Sequence, residues 1–293
     1  MDVIVMWVDN SSPVFVKNWR IVFESKVIPN KYKSSGEIVH CLNSLEYLNG
    51  RVRDIILVTD GTVLETSDLS LWTRSKLRYV FHDEFLPKSL LPTFSSHIIE
   101  SFIHNIPDIS EDYLLFNDDC FLLREIDISR YFDYDGLARI VLSKVSLSEV
   151  SEWNAILRPT LDLLASKFNF PNYYQNPHTP FLFNRGSCDQ VSKFFELEHS
   201  LGSKPKVNSD LTLNFRLLYI YWLINTRMKV GDPRERDFAS HRFSTKSDVL
   251  SIESLNFRNF ERIKKLIANS KPTILNVQKV EYSSLLTSVM IRE

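Results

Sequence analysis

Glycine is scarce: seven residues in 293, and no two of them stand at the GxGxxG or GxxxxGK spacing that lets backbone amides cradle phosphates. A dinucleotide fold of that type and a P-loop enzyme are therefore not expected. Cysteine is scarcer still. Cys41, Cys120 and Cys188 are odd in number, far apart and without CxxC spacing, which fits free thiols in a reducing compartment better than disulfides or zinc ligands. No segment reaches the roughly 18 apolar residues of a membrane-spanning helix. The opening "MDVIVMWVD" is too short and carries an acid at position 2, so it reads as a strand rather than a signal peptide, and a soluble or peripheral protein is expected. Charge of one sign is also missing: 35 basic against 36 acidic residues give no support for nucleic-acid binding. What is abundant is apolar surface, at 44% hydrophobic and 12% aromatic residues, enough for a sizeable core.

The apolar residues are arranged in runs. "DVIVMWVD" is a continuous apolar stretch that ends in Asp9, followed by the turn-rich "NSSP" and a helical pattern over 13–27. "GEIVHCLNSLEYLNGRVRDIILVTDG" gives a helix, then a buried strand closed by Asp60-Gly61. "LRYVFHDEF" predicts a third strand, "FSSHIIESFIHNI" a helix capped by Ser95 or Ser96, and "YLLFNDDCFLL" a strand interrupted by its acids. Strands apolar on both faces and alternating with helices predict an α/β fold with an open, mostly parallel sheet. Candidate helices follow at 146–168, 187–200, 209–225 and 252–268, with a late strand at "PTILNVQKV". No linker or repeat divides the chain, so one domain over 1–293 is expected: an α/β core at 1–145, a helical part at 146–270 and a closing strand and tail at 271–293.

In open α/β sheets the ligand crevice lies at the carboxyl ends of the strands, where Asp9, Asp60 and Asp118-Asp119 are predicted to fall. The adjacent pair Asp118-Asp119 offers hard oxygen ligands for magnesium or manganese, although an Asn-Asp-Asp turn that satisfies its own backbone has the same composition. His97, Glu100, Ser101 and His104 make one polar stripe on a helix, suited to acid–base work or phosphate contact and equally to a solvated face. "NPHTPFLFNR" holds His178 between prolines and places Arg185 after a strand-like stretch. Among Lys204, Lys206 and Arg216, each able to meet phosphate, the lysines read as solvated, and Tyr219, Tyr221 and Trp222 beside Arg216 read as core.

In order, these segments resemble the Stealth family of sugar-1-phosphate transferases of bacterial capsule synthesis, which includes the catalytic part of the animal N-acetylglucosamine-1-phosphotransferase. "DVIVMWVDNSSP" resembles the first conserved region. "EIVHCLNSLEYLNGRVRDIILVTDG", "LPTFSSHIIESFIHNI" and "YLLFNDDCFLL" together resemble the second, "HTPFLFNR" the third and "NSDLTLNFRLLYIYWL" the fourth, and "PTILNVQK" is similar to the closing strand. The chain departs from the family pattern at Val39 and Asn43, where arginines are usual. Lys206 stands nearest an expected arginine, and Val277 follows Asn276 where an Asn-Asp pair is usual.

The resemblance implies a glycosyltransferase-like fold and attack by an acceptor sugar hydroxyl on the β-phosphate of a nucleotide diphospho-sugar. A nucleoside monophosphate leaves, and a phosphodiester joins two sugars. It implies a magnesium or manganese ion on Asp118 and Asp119, with Asp119, His178, Asp118, Arg185 and Lys206 as the catalytic set. Asp9, Asp60, Glu100, His104 and Asn117 are the expected substrate contacts. The expected partners are a uridine-linked sugar donor and a saccharide acceptor on a lipid carrier, with no nucleic acid, at the cytoplasmic face of a membrane. An ordinary glycosyltransferase that releases a nucleoside diphosphate, and a catalytically inactive saccharide-binding relative, stay open as alternatives.

Overall fold

The computed structural model describes residues 1–25, 27–48, 51–126, 143–144, 152–168, 174–175, 180–197, 206–207, 212–227, 249–252, 260–270, 273–277, 285 and 288. The chain runs β1 (Asp2–Met6), α1 (Pro13–Phe23), α2 (Glu37–Ser44), β2 (Ile55–Thr59), α3 (Leu71–Lys76), β3 (Leu77–Phe81), the short α4 (His82–Phe85), α5 (Ser96–Phe102) and β4 (Asp112–Asn117). It continues through β5 (Cys120–Leu122), β6 (Ser143–Lys144), α6 (Glu152–Phe168), β7 (Tyr174–Gln175), β8 (Phe181–Asn184), α7 (Arg185–Phe194), α8 (Phe215–Arg227), β9 (Val249–Ile252), α9 (Phe260–Ser270) and β10 (Ile274–Val277).

The main sheet has the order β3-β2-β1-β4-β8. Its first four strands are mutually parallel and β8 closes the edge antiparallel to β4. The chain builds outward from β1 through β2 to β3, then crosses back to lay β4 on the other side of β1. That reversal opens a crevice at the carboxyl ends of β1 and β4, because the loops leaving the two strands diverge there. The expected α/β architecture with a mostly parallel sheet is the one observed.

The side chains of each strand alternate between two apolar layers, which is why its run is apolar throughout. Ile4, Ile56, Val58 and Leu115 face a core shared with α5, α6, α7 and α8, while Val3, Val5, Leu57, Leu114 and Phe116 face one shared with α2, β5, α9 and β10. Tyr219 and Tyr221 are buried in the first layer and Trp222 packs at its margin. All three cysteines are buried and free. A third, smaller cluster joins Phe15 and Trp19 of α1 to Tyr32 and Phe94, with ring centroids 5.0–6.2 Å apart.

Three expectations need correction. "YLLFNDDCFLL" is not one interrupted strand: β4 ends at Asn117, the chain turns at Asp118-Asp119, and β5 enters a second sheet of order β5-β10-β9. The turn is polar because it marks the passage between two sheets. The helix expected at 252–268 begins at Phe260, and the short apolar run before it forms β9, paired parallel with β10. "HDEF" leaves the third strand as one helical turn.

Phe15 is fully buried at the centre of the aromatic cluster. Phe15→Ala is expected to lower the free energy of unfolding by about 3–5 kcal/mol, read from chemical denaturation, because that cluster packs α1 against the segment leading into α5.

Candidate active site

The loops that leave β1 and β2 are held by their own acids. Asp9 Oδ1 accepts from Ser11 N at 2.9 Å and Ser11 Oγ at 2.8 Å, and Ser12 then caps α1. Asp60 Oδ1 accepts from Thr62 N at 3.2 Å and Thr62 Oγ1 at 2.6 Å. Thr62 Oγ1 also lies 2.9 Å from Ser12 Oγ, which ties the two loops together. Gly61 between them has φ +107°, a conformation that favours glycine, and a Cβ there would meet Val14 Cγ1 at 3.3 Å. The other oxygen of Asp60, Oδ2, is buried with no hydrogen-bond partner among the described residues. A buried carboxylate oxygen left in that state is costly, and a ligand hydroxyl or cation would relieve it.

Past β4 the turn is gripped from two sides. Asn117 O accepts from Cys41 Sγ at 3.6 Å, and Asp119 O accepts from Val277 N at 3.0 Å and Asn276 Nδ2 at 3.1 Å. Burial pushes the Asp118 carboxyl well above the ordinary aspartate range, and the neighbouring charges of Asp119 and Glu37 push it further. Three carboxylates thus gather where β4 ends and α2 begins. Among the described residues no three His, Cys, Asp or Glu side chains form a metal-holding group. Magnesium, however, is commonly held by one or two carboxylates together with substrate phosphates, and a crowded pair of hard oxygen donors fits that mode.

Behind the turn lies a buried ion pair that sequence reasoning undervalued. Arg216 of α8 donates from Nε to Glu100 Oε2 at 2.9 Å and from Nη2 to Glu100 Oε1 at 3.0 Å. Nη2 also donates to Asn117 Oδ1 at 2.8 Å. The side chains of Arg216 and Glu100 are only 10% and 6% exposed. His97, Glu100, Ser101 and His104 are all buried, so the polar stripe of α5 and the turn after it faces the interior and not solvent. His97 Nε2 sits 3.2 Å from Asn214 Nδ2, and Asn214 Oδ1 accepts from Leu217 N at the start of α8. The only signal for Arg216 was a basic residue inside an aromatic helix.

The expected site residues divide into groups. Asp9, Asp60, Asn117, Asp118 and Asp119 all lie at the carboxyl ends of parallel strands, and Glu100 is linked to Asn117 through Arg216. Lys206 lies beside the segment leading into α5, with its Nζ donating to Ser89 O at 3.0 Å and its carbonyl accepting from Phe94 N at 2.7 Å. Burial lowers its pKa. Arg185 is not brought to this end. Because β8 runs antiparallel to β4 with Asn184 opposite Asp112, Arg185 follows at the other edge of the sheet, about 20 Å from Asp118 at a rise of about 3.3 Å per residue. There its N donates to Glu111 O and its Nε to His104 O. His104 goes with it, its pKa pushed down to about 4, mainly by burial. His178 lies outside the described residues. At the departures from the family pattern, Val39 packs against the core, Asn43 bonds Asp68 O and Ser70 N, and Val277 is buried in the apolar layer.

The sign of one pH effect follows from Asp118. Its folded pKa is raised, so the protonated form favours the fold below the unfolded value near 3.9, and that contribution is lost as pH rises toward the folded value. In metal-free buffer, Asp118→Asn is therefore expected to raise the thermal midpoint at pH 7 and to have little effect below about pH 4, read by scanning calorimetry.

Residues 31–140 match the model of Stealth protein CR2, conserved region 2. The chain is 28% identical over 245 residues to a capsular polysaccharide phosphotransferase of Actinobacillus suis, covering 76% of this chain and 64% of that protein. It is 30% identical over 247 residues to an exopolysaccharide phosphotransferase of Streptomyces coelicolor, covering 79% and 40%. The chain thus spans less than two thirds of the length of these relatives. Among solved structures it is similar to mouse xyloside xylosyltransferase 1, with a TM-score of 0.42, 12% identity, and 94% and 96% of the two chains covered. Residues 31–140 thus carry a Stealth conserved region 2, and the chain is similar to capsular and exopolysaccharide phosphotransferases.

Proposed function

We propose that the chain transfers a hexose-1-phosphate or N-acetylhexosamine-1-phosphate from a nucleotide diphospho-sugar to a sugar hydroxyl in the synthesis of a capsular or other surface polysaccharide. The observation that carries this reading is the crowding of Asp118 beside Asp119 and Glu37 at the crevice of a parallel sheet, in a family whose relatives are named phosphotransferases. Phosphoryl transfer needs a site that organises a diphosphate and positions a hydroxyl, with little covalent chemistry left to the protein.

In this reading Asp118 and Asp119 would hold a magnesium or manganese ion, which would supply positive charge beside the donor phosphates. Asp60 Oδ2, buried without a partner among the described residues, receives a hydroxyl or amide of the nucleoside. Asp9 shapes the adjoining loop. The grip of Asn276 and Val277 on the Asp119 carbonyl fixes the backbone of the turn against β10, which limits where the carboxylate can reach. His178 is the proposed base that takes the hydroxyl proton as the oxygen attacks phosphorus and the nucleoside monophosphate departs. The helical part, 146–270, completes the site. The donor is proposed to be uridine-linked and the acceptor lipid-linked. Among the described residues no helix is long and apolar enough to cross a membrane.

The test is to incubate the protein and magnesium with a panel of uridine diphospho-sugars and mixed acceptors, and to resolve the released nucleotides by anion exchange. Acceptor-dependent uridine monophosphate is expected; uridine diphosphate would instead make the chain an ordinary glycosyltransferase. Asp119→Asn and His178→Ala are each expected to lower turnover more than about a hundredfold in the same assay. Chelation of the metal is expected to abolish turnover, and added magnesium to restore it.

A further inference from the structure

The sequence pattern offers Lys206 as the cation nearest an expected family arginine, but the geometry favours another residue. We infer that Arg216 is the positioning cation of the site, acting on the Asp118–Asp119 turn through Asn117 and Glu100. This inference deepens the proposed function and rests on it only for the choice of assay.

Arg216 joins three separate parts of the fold. Its Nε and Nη2 take both oxygens of Glu100 on α5, and Nη2 also reaches Asn117 Oδ1 at the last residue of β4. The partners are 116 and 99 residues away in sequence. Asn117 is the residue from which the Asp118–Asp119 turn departs, so the guanidinium sets where that turn begins. β10 holds the other end through the Asp119 carbonyl. With both ends held, the two carboxylates have little freedom to spread, although their charges oppose one another.

Lysine could not do this. A planar fork satisfies two oxygens of one carboxylate while still reaching an amide, whereas an ammonium is a point charge without that fixed geometry. Lys206 is in any case committed elsewhere, with its Nζ on Ser89 O. Glu100 neutralises Arg216, so the pair can stay buried.

The test uses Arg216→Lys and Asn117→Ala in the nucleotide-release assay, with thermal midpoints measured alongside. Arg216→Lys keeps the charge and loses the fork. Asn117→Ala leaves the Glu100–Arg216 pair whole and removes only the link to the turn, so it remains informative if Arg216→Lys does not fold. A drop in kcat of at least tenfold is expected for each, together with weaker apparent affinity for the donor and magnesium. Lys206→Ala is expected to cost less than Arg216→Lys. In Arg216→Ala, added guanidinium is expected to restore turnover where ethylammonium does not. An Asn117→Ala enzyme within threefold of wild-type kcat would overturn the inference, as would a larger loss from Lys206→Ala.

If the wild-type protein releases no nucleoside monophosphate, the proposed function fails, and the inference is read from calorimetric binding of uridine diphosphate with magnesium. At least tenfold weaker binding by Asn117→Ala supports it. Equal binding, or none by either protein, overturns it.

Discussion

A buried guanidinium bonded to a buried carboxylate is the contact on which the arrangement of this crevice depends. Glu100 and Arg216 lie on helices with more than a hundred residues between them, and their pairing brings α8 against α5 beneath the end of β4. Such a pair is weak evidence for stability, since desolvation of both ions offsets most of their attraction. It is strong evidence for register. Displacing α8 by one turn, about 5.4 Å, would leave a carboxylate and a guanidinium buried and unmatched. The third bond, to Asn117, passes that register on to the strand from which the acidic turn leaves.

The turn itself is arranged against the stability of the chain alone. Asp118 is half-buried beside two like charges, and the second oxygen of Asp60 is buried without a hydrogen-bond partner among the described residues at the same end of the sheet. Both are costs that a cation and a polar ligand would remove, and such costs collect at sites shaped for an absent partner. The turn is supported by neutral hydrogen-bond donors: the Val277 amide, the Asn276 side-chain amide and the Cys41 thiol. Replacing an acid by valine at position 277 does not disturb this support. The backbone amide of Val277 holds Asp119 while its side chain fills the core.

The sheet separates two clusters that sequence order runs together. Glu100 and His104 are one helical turn apart, yet Glu100 faces the Asn117 end and His104 the Arg185 end. A helix crossing back between parallel strands runs from the crevice edge to the opposite edge, so successive turns of one polar stripe serve different ends of the sheet. Arg185 shares the fate of β8. An antiparallel edge strand delivers its carboxyl end to the edge opposite the crevice, whatever residue follows it.

Local pattern determined the strands, their buried faces and the acids that close them, because each depends on residues within one run. Asp9, Asp60 and Asp118-Asp119 follow apolar stretches whose alternation demands burial on both sides, and a parallel sheet puts their ends together. Pattern also narrowed the cap of α5 to Ser95 or Ser96, of which Ser95 is the one used, and marked Tyr219 and Tyr221 as core. What it did not determine was partnership. Whether "NDDC" lies within a strand or between two sheets depends on β10, some 150 residues later. Whether Arg216 or Lys206 meets the site depends on which helix packs beneath β4, and whether Arg185 does depends on the direction of β8. These are long-range choices of packing and strand order, set by how the whole apolar surface is buried at once, and no short stretch of sequence contains them.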